Sequence, residues 1–94
     1  TIITMANKRN LKHTINYVCG ELFAECIAVS QYSSKPDNEN VNALLRSILA
    51  INNDMIKRVS HPEPGMPAKK YYNDLIASFN KQILEITDQI ANLN

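Results

Sequence analysis

The sequence predicts an all-α fold, an antiparallel up-down-up bundle of three helices that dimerisation can complete. Pro36 and the stretch 61–67, which holds the other three prolines and Gly65, divide the 94 residues into three segments. Each segment is long enough for a helix of about 20–27 residues and repeats its apolar residues at helical spacing. Short connections between long helices favour antiparallel neighbours. We therefore expect one domain over 1–94, with helices at about 7–31, 37–60 and 67–92.

The first predicted helix carries a wide apolar arc. Its central stripe consists of Leu11, Ile15, Val18, Leu22, Cys26 and Val29. Cys19, Phe23 and Ile27 widen the stripe to nearly half of the helix circumference, which is more than one neighbouring helix needs to cover. Gly20 lies in the middle of this helix and costs about 1 kcal/mol relative to Ala, unless a close backbone approach uses it. The excess apolar surface predicts association.

The second predicted helix has the clearest ends. Ser34-Lys35-Pro36-Asp37 matches a capping box with proline in the first turn, although Asp37 is an alternative cap. Lys57 and Arg58 follow at the other end, where cations suit the helix dipole. The apolar face consists of Val41, Leu44, Leu45, Ile48, Leu49, Met55, Ile56 and Val59.

Asn52 interrupts that apolar face near its middle. A buried amide must find hydrogen-bond partners or cost on the order of 1–3 kcal/mol. Such a residue can fix register or oligomeric state, and a contact with a ligand is the rarer alternative.

The third predicted helix has strict 4-3 apolar spacing. The seam is Tyr72, Ile76, Phe79, Ile83, Ile86, Ile90 and Leu93. Asn73, Leu75, Asn80, Gln82, Thr87 and Gln89 flank it. The charged pairs that select a two-stranded zipper are missing from these flanking positions, so we expect the helix to pack inside a bundle.

Enzyme chemistry is not expected. The chain has two glycines, neither in a glycine-rich turn, so the phosphate-binding and dinucleotide-binding motifs are missing. The nucleophile elbow and the zincin motif are missing as well. His13 and His61 are the two histidines, and neither follows a glutamate at the spacing that di-metal bundles use. We predict no catalytic residue, no metal site and no cofactor.

The two cysteines indicate a reducing compartment. Cys19 and Cys26 lie seven residues apart on one helix, about 10.5 Å along its axis, which is too far for a disulfide. No stretch approaches the roughly 20 apolar residues that span a bilayer, so we expect no membrane insertion. Cytoplasmic localisation is the resulting expectation.

Charge is expected to be polarised along the bundle. Helix order brings one group of cations to the end where the first helix begins: Lys8, Arg9, Lys12, Lys57, Arg58, Lys69 and Lys70. The opposite end holds six of the nine carboxylates. The basic end, with Tyr71 and Tyr72 for stacking, is a candidate site for anions or nucleic acid. We favour a solvated surface instead, because neither a markedly basic pI nor a recognition motif is present.

The stretch 8–12 (KRNLK) and the stretch 15–26 (INYVCGELFAEC) resemble the first helix of small helical proteins of anaerobic gut bacteria. That family has no established activity to transfer. The resemblance covers about a quarter of the chain and implies a bacterial cytoplasmic setting.

The leading functional prediction is a non-enzymatic helical interaction module that self-associates through helix 1, as a homodimer or larger homo-oligomer. Phe23 and Ile27 on helix 1, with Leu84 outside the helix 3 seam, are the candidate interface. An unidentified protein partner is a further possibility. The alternatives are anion or nucleic-acid binding at the basic end and small-molecule binding in the bundle core around Asn52.

Overall fold

The structure, a computed structural model, describes residues 8–33 and 38–93. Within these ranges the chain forms α1 (Lys8–Tyr32), α2 (Asn38–Ser60) and α3 (Ala68–Ala91). Each end lies within one residue of the boundary predicted from proline positions and apolar periodicity. The predicted capping box at 34–37 lies outside the described residues.

The three helices pack as an antiparallel up-down-up bundle, and this confirms the predicted fold class. Tyr72 near the start of α3 bonds to Val59 near the end of α2. Leu93, just beyond α3, lies beside Leu44 in the first half of α2. Every pair of helices is in contact, and the bundle measures 50 × 20 × 17 Å.

One continuous apolar core runs along the bundle axis. Its buried residues are Leu11, Ile15, Val18, Cys19, Leu22, Cys26, Val41, Leu44, Ile48, Met55, Val59, Tyr72, Leu75, Phe79, Ile83, Ile86 and Ile90. Val29, Leu45, Ile56, Ile76 and Leu93 belong to the predicted stripes, but they are half-buried at the edge of the core. The helical periodicity therefore identifies the core face of each helix.

Two leucines occupy the opposite environment from the one predicted. Leu49 was expected on the buried face of α2, yet its side chain is 51% exposed, because it lies 100° around the helix from Ile48. Leu75 was expected to flank the seam of α3, yet it is 4% exposed. The reason is that α3 has two neighbours, so it buries a wider arc than a single seam, on the side that faces α2.

The connection between α2 and α3 is a tight loop. Gly65 has φ 86°, a left-handed backbone conformation that glycine adopts without steric cost. The amide of Met66 donates to the carbonyl of Glu63 at 3.4 Å within the same turn. This loop reverses the chain and places the start of α3 beside the end of α2.

Candidate interaction surface

A groove of about 200 Å³ lies between the middle of α1 and the middle of α2. Its lining residues are Asn16, Cys19, Gly20, Phe23, Ile48, Leu49 and Asn52. Cys19 and Ile48 are buried beneath it, Phe23 is half-buried, and Leu49 is half-exposed at its edge. Every lining residue belongs to α1 or α2, so the groove opens on the face of the bundle away from α3.

Gly20 leaves an open notch in the α1 side of the groove. No atom lies within 4 Å of the position that a β-carbon at residue 20 would take. The close backbone approach considered from the sequence is therefore not made within this chain. A mid-helix glycine destabilises a helix by about 1 kcal/mol relative to alanine. No close contact between Gly20 and another described residue offsets this cost.

Apolar side chains continue the groove along the bundle. Ile27 lies one turn beyond Phe23 on α1 and is 36% exposed. Leu45 and Ile56 lie one and two turns from Leu49 on α2, and both are half-buried. We call this surface, from Phe23 and Ile27 across the notch to the apolar edge of α2, the α1/α2 face. It is a two-helix surface, whereas the sequence pointed to α1 with a contribution from α3.

Leu84 does not belong to the α1/α2 face. It is 66% exposed and lies on α3, no residue of which lines the groove. The structure thus brings Phe23 and Ile27 together, adds Leu49, and leaves Leu84 on a different side of the bundle. Leu49 was not predicted as an interface residue. Its position belongs to the apolar stripe of the second helix, and a helical wheel does not show which part of a stripe a neighbouring helix covers.

Asn52 lies at the edge of the groove with part of its amide buried. Its Oδ1 atom is shielded from solvent and accepts no hydrogen bond from any described residue. An unsatisfied buried acceptor costs about 1–3 kcal/mol. The groove is smaller than the roughly 300–1,000 Å³ of typical ligand pockets, so its size favours contact with another apolar surface over enclosure of a small molecule.

The thiol of Cys19, which lines the groove, is unreactive at neutral pH. Burial raises the pKa of Cys19 from 9.0 to about 11, and burial also raises the pKa of Cys26. Both cysteines are free and buried, which agrees with the predicted lack of a bridge between them. A protonated, buried thiol is a small apolar side chain and not a nucleophile at neutral pH.

The basic end of the bundle is assembled as the helix order predicts. The side chain of Lys8 lies outside the described residues, and Tyr71 and Tyr72 stand at the start of α3. Two of the cations are paired within their own helices: Arg58 Nε lies 3.1 Å from an Asp54 carboxylate oxygen, and Lys70 Nζ lies 3.3 Å from one of Asp74. The other described cations of this end are Arg9, Lys12, Lys57 and Lys69.

Tyr71 and Tyr72 are not arranged as a stacking platform. Tyr72 is 6% exposed, and its hydroxyl donates to the Val59 carbonyl at 3.0 Å. The Tyr71 hydroxyl donates to the Arg58 carbonyl at 2.8 Å, and the two rings meet edge to face with centroids 5.3 Å apart. The two tyrosines that were expected to stack on bases instead donate hydrogen bonds to carbonyls in the last turn of α2.

The described residues show no assembled metal centre. His13 and His61 are both exposed. No group of three or more histidine, cysteine, aspartate or glutamate side chains is placed to hold a metal ion within the ranges described. None of the described helices combines the length and hydropathy that crossing a bilayer requires.

Comparison of the chain with protein-family models, with curated proteins and with solved structures finds no match in any of the three. The resemblance of the first helix to proteins of gut bacteria therefore stays a prediction.

Proposed function

We propose that this protein is a non-enzymatic helical interaction module that self-associates through the α1/α2 face. The observation that carries the proposal is the open notch at Gly20 beside the half-exposed Leu49. At Gly20 no side chain keeps a second helix away from the α1 backbone. Leu49 supplies an exposed apolar side chain that such a helix would bury. Together they have the form of one half of a helix-packing interface.

The energetics support burial of this face. Covering the exposed half of Leu49 stabilises a complex by about 1 kcal/mol, and a two-fold symmetric interface buries each contributing residue twice. A domain of 94 residues buries a smaller fraction of its surface than a larger one does, so association is an effective source of additional stability.

We further propose a reducing, cytoplasmic setting. Its support is that Cys19 and Cys26 are both free and both buried in the core. A cytoplasmic protein has no need of a disulfide, and small apolar thiols pack well between helices.

Light scattering coupled to size-exclusion chromatography tests self-association over a concentration series. We expect a dimer at tens of micromolar and a dissociation constant that rises at least tenfold in Leu49→Asn, because two leucines are lost from each interface. Leu84→Asn is the matched control, since Leu84 is equally apolar and more exposed but lies outside the groove. A wild-type chain that remains monomeric at these concentrations would contradict the proposal, as would equal weakening by the two substitutions.

A further inference from the structure

We infer that the occupant of the α1/α2 face is a second copy of this chain in antiparallel orientation, with the two-fold axis crossing the bundle at the level of Gly20 and Leu49. This inference rests on the proposed self-association and specifies its geometry. The inference starts from the positions of these two residues: Gly20 on α1 and Leu49 on α2 both line the middle of the same groove.

Two symmetric arrangements bring two such faces together. If the two-fold axis runs along the bundle, the copies are parallel and α1 of each lies on α2 of the other. If the axis runs across the bundle, the copies are antiparallel, and each helix lies on its own symmetry mate. In the antiparallel arrangement Gly20 meets Gly20 of the second copy at the crossing point of the two α1 helices. Leu49 then meets Leu49 of the second copy on the same axis.

The notch suits the antiparallel crossing. Two helix backbones approach most closely where neither carries a side chain, and Gly20 provides this on both copies at the same point. The open space around Gly20 is therefore filled by the α1 backbone of the second copy. The half-exposed leucines lose their contact with water at the same step, because each covers the other.

The charges at the two ends of the outer edge of α2 favour the same orientation. Glu39 and Lys57 are both exposed and stand 18 residues apart, which is about five turns, so they lie on one line along the helix. Position 48, next to Leu49, is the midpoint between them. An axis at this level therefore places Lys57 of each copy opposite Glu39 of the other.

The parallel arrangement places like charges together. Lys12 and Arg9 lie one and two turns before Asn16 on the groove side of α1, at the same end of the bundle as Lys57. With α1 on α2 of the second copy, these cations would face Lys57. Charge complementarity thus selects the antiparallel pair, in which Lys57 of each copy lies over the end of α2 that holds Glu39 of the other.

A charge-swap experiment measures the orientation through the dissociation constant at low salt. Lys57→Glu is expected to weaken an antiparallel dimer about fivefold to tenfold, because two ion pairs at the rim become two repulsions. Adding Glu39→Lys to the same chain is expected to restore the wild-type dissociation constant. Lys81→Glu is the control of identical charge change on α3, outside the groove, and we expect less than a twofold effect.

A distance measurement tests the same geometry without relying on weak ion pairs. A nitroxide attached through Glu63→Cys marks one end of the bundle, and the buried native thiols react slowly with the label. Antiparallel copies place the two labels on the order of the 50 Å bundle length apart, whereas parallel copies keep them within about two bundle widths of 20 Å.

The outcomes separate the inference from the proposed function. A dimer that is tightened by Lys57→Glu, or that shows the short label distance, overturns the antiparallel inference and leaves self-association intact. A dimer weakened by Lys57→Glu, rescued by the swap and showing the long distance supports both. A monomer overturns the proposed function, and the inference fails with it.

Discussion

The hydroxyl of Tyr72 donates a buried hydrogen bond to the main-chain carbonyl of Val59 at 3.0 Å, joining the second turn of α3 to the last turn of α2. The carbonyls of a final helical turn lack partners within their own helix. Tyr72 supplies one such partner from across the interhelical loop. The antiparallel pairing of α2 and α3 is therefore secured at this end by a specific polar contact as well as by apolar packing.

Replacement of Tyr72 by phenylalanine should lower the free energy of unfolding by about 1–2 kcal/mol, because the Val59 carbonyl loses its tyrosine donor in a buried position. Urea denaturation at fixed protein concentration measures the change. Tyr71→Phe is the matched control: its bond to the Arg58 carbonyl is exposed, so water can replace the hydroxyl and the loss should be smaller. Equal losses in the two variants would contradict a capping role that depends on burial.

Asn52→Leu should raise the free energy of unfolding by about 1 kcal/mol, because it removes a buried oxygen that has no donor. Urea denaturation checks the change, and Asn53→Leu, on the exposed neighbouring position, controls for the gain in helix propensity. If Asn52→Leu instead destabilises the protein by more than about 1 kcal/mol, the amide has a structural partner and is not an unsatisfied group.

Gly20→Ala should change folding and association in opposite directions. The added methyl group meets no atom of its own chain, so helix propensity stabilises the monomer by up to about 1 kcal/mol. The same methyl group separates two α1 helices at their crossing point and should weaken the dimer. Thermal denaturation under dilute conditions measures the first effect, and light scattering over a concentration series measures the second. Tighter association in Gly20→Ala would show that the notch is not a contact point.

The raised pKa of Cys19 predicts a loss of stability at alkaline pH. Well below pH 9 the thiol is protonated in both the folded and the unfolded chain, so it contributes no pH dependence. Between pH 9.0 and about 11 the Cys19 thiol ionises in the unfolded chain but keeps its proton in the folded chain. The free energy of unfolding therefore falls as pH rises.

Urea denaturation of the wild type and of Cys19→Ala across this pH range isolates the contribution of the thiol from that of the tyrosines. We expect the alanine variant to show the shallower decline. Parallel curves for the two proteins would mean that the Cys19 thiol ionises equally readily in the folded and unfolded states.

Local sequence signals determined the helices and their order. The prolines at 36, 62, 64 and 67 mark the connections, since proline cannot continue a helix interior. Apolar residues at helical spacing identify the faces of α1, α2 and α3 that turn inward, and Leu11, Ile15, Phe79 and Ile90 are fully buried as the spacing requires. Short connections between long helices then leave the antiparallel bundle as the natural arrangement.

The sequence predicted only part of the candidate interaction surface. Phe23 and Ile27 could be placed at the edge of a wide arc, but Leu84 was grouped with them although it lies on another side of the bundle. The roles of Tyr71 and Tyr72 were also misjudged, because a tyrosine near lysines has the same sequence pattern whether it stacks on a ligand or bonds to a carbonyl.

The sequence by itself determined which residues form helices and which face of each helix is apolar, because these follow from backbone sterics and from a period of 3.6 residues. Only the tertiary structure decided which part of each apolar face is covered. Leu75 became buried and Leu49 stayed exposed because burial depends on where the neighbouring helices lie, and that placement is a property of the whole bundle. The open notch at Gly20 has the same origin, since an empty space is defined by atoms that come from other elements.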